Sequence, residues 1–148
     1  MSSENPFADN PIWKDTKKEK WKGTRIGKKY HICASHFLPN VPDGHKCKNL
    51  HGHNYVIELE MRGEVNPDKG WLVDFEFFDK NFKPLLMELD HSHLNDTIDN
   101  PTAENLAQWI MDNHRPKCLF SVIVWETPNC YARVVNGDGF WRTREILE

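Results

Sequence analysis

One run of alternation constrains this chain more than any other feature. From His51 to Gly63 the sequence reads His-Gly-His-Asn-Tyr-Val-Ile-Glu-Leu-Glu-Met-Arg-Gly. Side chains two residues apart in an extended strand point to the same face. Tyr55, Ile57, Leu59 and Met61 therefore form an apolar face, and Glu58, Glu60 and Arg62 face the other way. We read a half-buried strand from about His53 to Gly63. His51 and His53 share the parity of its apolar face, so the strand carries two imidazoles toward a core, and Gly52 leaves the space between them open.

A second run repeats the arrangement. From Lys29 to Leu38, Tyr30, Ile32, Ala34 and Leu38 alternate, and His36 shares their parity. Two strands with inward histidines bring three neutral imidazoles together and leave one coordination position open, the pattern of a catalytic zinc site. Imidazole also suits copper, nickel and iron. Cys47 lies just upstream, among His45, Lys46 and Lys48. Positive neighbours favour a thiolate, which fits a fourth ligand, a nucleophile or a general base.

The remaining segments complete an α+β pattern. Residues 39–50 read as a loop and Asn66 to Gly70 as a turn, followed by a short strand from Trp71 to Val73. Asp74 suits an N-cap, and Phe75, Phe78, Phe82, Leu85 and Leu89 keep helical spacing, with Pro84 expected to end or kink the helix. Asp90 to Asn100 reads as polar loop. A second helix starts at Pro101-Thr102-Ala103-Glu104, with Leu106, Trp109 and Ile110 as its stripe. Residues 118–126 and 130–136 are β-rich around a Thr127-Pro128-Asn129 turn. The order ββααββ predicts a four-stranded antiparallel sheet with both helices on one face.

Bulk properties bound the function. A chain of 148 residues suits one domain, read here as 29–148 after a polar extension over 1–28. Residues 1–29 hold eight Lys/Arg against four Asp/Glu, which reads as a solvated basic face. The net charge of −3 argues against nucleic acid as a partner. No apolar run is long enough for a membrane span, and no Gly-rich dinucleotide fingerprint occurs. The four cysteines do not suggest a disulfide framework, so a cytoplasmic setting is expected; Cys33, Cys118 and Cys130 sit in strand-like runs and read as structural.

Two further elements can carry chemistry. Asp90 adjoins His91, and a carboxylate beside an imidazole orients it and raises its basicity, as a proton shuttle requires. Glu126 ends a hydrophobic strand. Buried, it needs a partner with several N–H donors, such as the guanidine-like edge of a heterocycle; exposed, it is a solvated strand end.

The motifs in order resemble the 6-pyruvoyl-tetrahydropterin synthase family. They are Ala-Ser-His-Phe-Leu-Pro (34–39), Pro-Asp-Gly-His-Lys-Cys-Lys-Asn-Leu-His-Gly-His (42–53), Gly-Trp-Leu-Val-Asp-Phe (70–75), Leu-Asp-His-Ser-His-Leu-Asn-Asp (89–96), Asn-Pro-Thr-Ala-Glu-Asn (100–105) and Glu-Thr-Pro (126–128). Three residues separate Cys47 from His51, a spacing similar to the 6-carboxy-5,6,7,8-tetrahydropterin synthase branch of queuosine biosynthesis. The resemblance implies a tunnelling fold, whose subunits join sheets into a barrel within a homohexamer of two trimers. It implies Zn2+ on His36, His51 and His53, Cys47 as catalytic base, and Asp90 with His91 as a second relay. Glu126 would anchor the pterin, and Thr102 and Glu104 would lie near it across a subunit interface. The implied reaction converts 7,8-dihydroneopterin triphosphate to 6-carboxy-5,6,7,8-tetrahydropterin, acetaldehyde and triphosphate. The rival readings are a pyruvoyl-type synthase, which eliminates triphosphate without C–C cleavage, and a non-catalytic pterin- or metal-binding protein. Two departures stand out: Phe37 occupies a place where a basic residue is common, and Trp125 precedes the glutamate.

Overall fold

A computed structural model describes residues 23–137. Two long strands, β1 (Thr24–His36) and β2 (His51–Gly63), pair antiparallel over their full length, with His36 opposite His51 and Ala34 opposite His53. Helix α1 (Glu76–Leu89) follows, then a two-residue strand β3 (Ser92–His93), helix α2 (Ala103–Asn113), and the hairpin β4 (Ser121–Thr127) and β5 (Cys130–Val135). The sheet order is β3-β1-β2-β4-β5.

Two expectations about the sheet need correction. It has five strands rather than four, and it is mixed, because β3 runs parallel to β1 through Ala34 and Ser35. The segment read as polar loop also contains a fully buried side chain, Leu94, in a 3-10 turn (Leu94–Asp96). Asn95 explains why this turn docks: its Oδ1 accepts from Phe37 N at 3.0 Å and its Nδ2 donates to Phe37 O at 2.9 Å. One amide thus satisfies both backbone groups of the residue after His36, as a neighbouring strand would.

Strand β1 starts at Thr24, before Lys29, where exposed and half-buried residues hide the apolar period. The expectation for the first 28 residues otherwise lies outside the described residues. Trp71 to Val73 is not a strand. The turn closes by Asn66 N donating to Trp71 O, the helix begins at Glu76, and Leu72 enters the core with Val73 packed half-buried against it. Gly70, at φ 77°, takes the left-handed position this turn requires.

The inner face of the sheet holds Tyr30, Ile32, Ala34, Tyr55, Ile57, Leu59, Met61, Val122 and Val124, all buried. Phe78, Phe82, Leu86 and Leu89 of α1 and Leu106, Ala107 and Ile110 of α2 pack into the same core, so both helices share one face. Each of the larger side chains among them contributes roughly 1.5–3 kcal/mol. Helix α1 runs through Pro84 instead of ending there. Pro84 lies on the solvent face with Lys80 four residues before it, so water can satisfy the carbonyl left without an N–H, and anchors on both sides hold the helix. The N-cap is Phe75, one residue after the Asp74 expected there, but Asp74 Oδ1 still accepts from Glu76 N at 3.0 Å. Thr102 caps α2, its Oγ1 accepting from Asn105 N at 3.1 Å. Tyr30 donates to Asp79 at 2.6 Å and so ties α1 to β1.

His114 joins α2 to β4 and is 1% exposed. Its Nδ1–H donates to Met111 O at 2.7 Å, and its Nε2 accepts from Cys118 N and Leu119 N at 3.3 and 3.2 Å. These bonds require a neutral ring, and burial lowers its proton affinity below the ordinary value of 6.5. The unfolded chain therefore takes up this proton first on acidification. The stabilisation is complete above the unfolded value and is lost as pH falls from it through the lower folded value. We expect urea midpoints to fall between about pH 7.5 and 5.5. His114→Phe should cost about 1–3 kcal/mol at neutral pH, by leaving two N–H groups without an acceptor, and should flatten that fall.

Candidate metal centre and active site

The β1–β2 register gathers His36, His51 and His53 at one end of the inner face. One ligand nitrogen from each lies within 4.8 Å of the others, and the ring centroids are 4.5 to 5.0 Å apart. Hydrogen bonds to carbonyls set the tautomers. His36 Nδ1–H donates to Pro101 O at 2.8 Å, and His51 Nδ1–H donates to Asn49 O at 2.6 Å. Each Nε2 is thereby left with its lone pair, and the two nitrogens face each other at 3.0 Å. Two lone pairs at that distance repel unless a cation lies between them.

His53 completes the case. Its Nε2 is buried without a hydrogen-bond partner. Glu126 Oε1 lies 3.5 Å away, near enough for charge attraction but too far for a good hydrogen bond. Burial lowers the proton affinity of His36, against the hydrogen bond to Pro101, and that of His53, against the charge of Glu126. Neutral rings with inward lone pairs are what a metal ion requires, so the residues fit one.

The other predicted site residues are positioned as follows. Glu126 follows Trp125, which pairs with Val56, so it shares the inward parity of Val122 and Val124. This resolves its orientation toward the imidazoles. Cys47 does not join the cluster. Its backbone is pinned on both sides: Leu38 N donates to its carbonyl at 2.8 Å, and its own N–H donates to His45 Nδ1 at 3.1 Å. The thiol loop is thereby tethered two residues beyond His36. Thr102 follows Pro101, whose carbonyl holds His36, whereas Glu104 is exposed in the first turn of α2.

Asp90 and His91 bracket Cys33 on the other side of β1. Asp90 Oδ1 accepts from Cys33 N at 2.8 Å, and His91 N donates to Cys33 O at 2.6 Å. The Cys33 amide and the His91 side chain hold the Asp90 carboxyl below its usual range. Asp90 Oδ2 meets His91 Nδ1 at 2.9 Å, and the imidazole is 81% exposed. His91 sits at φ 58°, a strained conformation for a residue with a Cβ. An open cavity of about 600 Å³ lies beside this pair, lined by Cys33, Ser35, Gly52, Asn54, His91 and His93 among others. It occupies mainly the outer face of the sheet and meets the imidazole cluster at His53, which also lines it. Gly52 therefore opens this cavity rather than the space between the histidines, since a Cβ there would point outward and meet Ala34 O at 3.4 Å.

Sequence reasoning missed several contributors. Tyr55 Oη lies 3.2 Å from His36 Nδ1. The carbonyls of Asn49 and Pro101 fix two tautomers yet belong to backbone, which leaves no side-chain signal. Ser35 Oγ and His93 Nδ1 meet at 3.1 Å in the cavity.

Three inward imidazoles on an α+β scaffold, with both helices on one face of the sheet, define a three-histidine cluster able to hold a metal in a two-layer domain. A family model described as 6-pyruvoyl tetrahydropterin synthase matches residues 25–136, and the chain belongs to that family. A relative from Bacillus subtilis, 6-carboxy-5,6,7,8-tetrahydropterin synthase, is 33% identical over 122 residues, covering 72% of this chain and 82% of that protein. A dihydroneopterin monophosphate aldolase from Pyrococcus furiosus is 41% identical over 68 residues, covering 46% of this chain and 58% of that protein. The structure of Caenorhabditis elegans 6-pyruvoyl tetrahydropterin synthase superposes with a TM-score of 0.68 at 26% identity, covering 77% of this chain and 96% of that one.

Alanine at His36, His51 or His53 should weaken Zn2+ binding more than tenfold, as measured by competition with a chelator, because even outer partners of a metal are worth about 10–100-fold. Cys47→Ala should leave it unchanged. Full affinity in His53→Ala would remove that residue from the ligand set.

Proposed function

We propose that the chain is a zinc-dependent carbon–carbon lyase. It converts 7,8-dihydroneopterin triphosphate and water to 6-carboxy-5,6,7,8-tetrahydropterin, acetaldehyde and triphosphate, a step toward queuosine. The observation that carries this reading is the set of inward lone pairs on His36, His51 and His53, with Glu126 beside them. The similarity to the Bacillus subtilis protein over 72% of the chain supports the choice of reaction.

Each residue then has a defined task. Glu126 accepts hydrogen bonds from the guanidine-like edge of the pterin and orients the ring. His36, His51 and His53 would hold Zn2+, which when bound would supply Lewis acidity toward side-chain oxygens of the substrate. Cys47, as thiolate, removes a proton from the side chain. Asp90 holds His91 in position to move a second proton on the other side of the substrate. The strained backbone of His91 keeps the imidazole exposed for that role. Thr102 and Glu104 line the pterin site of a neighbouring subunit in a homohexamer whose joined sheets form a barrel.

Product analysis tests the reading directly. Incubation with 7,8-dihydroneopterin triphosphate should release one acetaldehyde per pterin consumed. A product that keeps all three side-chain carbons would instead establish the pyruvoyl-type reaction, and absence of turnover in the metal-loaded protein would leave a binding protein.

Two variants test the residues. Cys47→Ala should lower turnover by at least about 100-fold, the scale of a lost acid–base group, with zinc retained. His91→Gly should do the same while preserving the fold, since glycine takes a positive φ without strain. Near-normal turnover in either would remove that residue from the proton relay. Glu126→Ala should chiefly raise KM by about tenfold or more, because a hydrogen bond to a charged group contributes roughly 1.5–3 kcal/mol. An unchanged KM would argue against pterin anchoring.

A further inference from the structure

Glu126, read above as the pterin anchor, also borders the three-histidine cluster. Its Oε1 is 3.5 Å from His53 Nε2, a buried nitrogen with no hydrogen-bond donor of its own to meet. A tetrahedral ion with bonds of about 2.0–2.1 Å sets its donor atoms roughly 3.3–3.4 Å apart. The His36–His51 separation of 3.0 Å is close to that spacing, and the nitrogens of all three histidines lie within 4.8 Å of one another, so the imidazoles form the donor set and Glu126 borders it. The carboxylate stands beside one imidazole without belonging to the three-histidine group, and its side chain keeps 26% exposure. One face of it addresses the metal cluster and the other remains available to a ligand. Its charge also reaches deeper, acting on His36, His53 and Tyr55.

From this geometry we infer that Glu126 serves the metal and the pterin head group with a single carboxylate, so that the two compete for it. This rests on the reading of Glu126 as the pterin anchor. With no pterin present, the carboxylate stands beside His53 and supplies the negative charge that three neutral imidazoles lack. When the guanidine-like edge of a pterin takes its hydrogen bonds, the carboxylate turns away and the metal loses that charge. A pterin without side-chain oxygens cannot replace what it removes, so it weakens metal binding. A substrate carrying side-chain hydroxyls brings its own oxygens to the site as the carboxylate leaves. Opening of the metal position is thereby tied to arrival of the correct head group. Because coupling free energy is reciprocal, zinc must weaken binding of the bare head group by the same factor.

The experiment uses the full chain, with Zn2+ and unsubstituted pterin as probes and no turnover. Zinc Kd is measured by chelator competition with and without saturating pterin, and pterin Kd by fluorescence with and without zinc. In the wild-type protein each ligand should weaken the other by an equal factor, within the usual range of about 5–150-fold. Glu126→Gln should weaken zinc by about 10–100-fold and abolish the coupling. The wild-type measurements stand even if that variant does not fold. If pterin binds without changing zinc Kd, or if Glu126→Gln keeps wild-type zinc affinity, the inference is overturned. In those cases a loss of pterin affinity in Glu126→Gln would leave the anchoring role intact. If Glu126→Gln binds pterin as tightly as the wild type, the anchoring role fails and the coupling fails with it.

Discussion

The antiparallel pairing of β1 with β2 is the constraint on which the rest of the molecule depends. It runs from Thr24 opposite Gly63 to His36 opposite His51. A slip of one residue would turn every side chain of one strand to the other face. Tyr30, Ile32 and Ala34 would lose their places against the helices together, as would Tyr55, Ile57, Leu59 and Met61 across from them. At roughly 1.5–3 kcal/mol per large apolar side chain, the core pins the register far more firmly than any interaction at the site could. The three imidazoles lie at the end of the same face and follow the same register. The relative placement of the three imidazoles is thus set by hydrophobic packing along the strands.

The sequence was legible where a period of two or of 3.6 ran long enough to reach the core. The inward parity of His36, His51 and His53 is of that kind, because each extends an apolar alternation. So are the buried positions Phe78, Phe82 and Leu89 of α1 and Leu106 and Ile110 of α2. What could not be read depended on contacts between distant segments. β3 is two residues long and exists because Asn95 and the Asp90–His91 pair bond to β1 around it. Leu94 was hidden among polar neighbours. Gly52 was read as spacing between the histidines when it opens the opposite face. Pro84 was expected to end or kink the helix, and its solvent-facing position lets the helix continue.

The metal centre and the Asp90–His91 pair lie on different sides of β1, and the strand itself connects them. Cys33 supplies the backbone groups that hold Asp90 and His91, and three residues later His36 supplies the innermost imidazole. Asn95 then fixes Phe37, and Leu38 fixes the loop of Cys47. Six consecutive residues of one strand and its exit therefore orient three kinds of functional group. A displacement of that strand end would move all of them together, so their relative geometry is preserved even when the end shifts as a body.

The same strand end carries a local instability. Pro101 and Asn49 hold the Nδ1 protons of His36 and His51, so the facing Nε2 atoms at 3.0 Å have no proton to share. Burial of His36 and His53 opposes protonation, which would otherwise relieve the repulsion. A metal ion bound there would remove that conflict, and part of its binding free energy would appear as cohesion between the ends of β1 and β2. The core can tolerate the strain because it lies at the tip of a long, well-packed pairing. Placed in the middle of the strands, the same three lone pairs would act against the register that creates them.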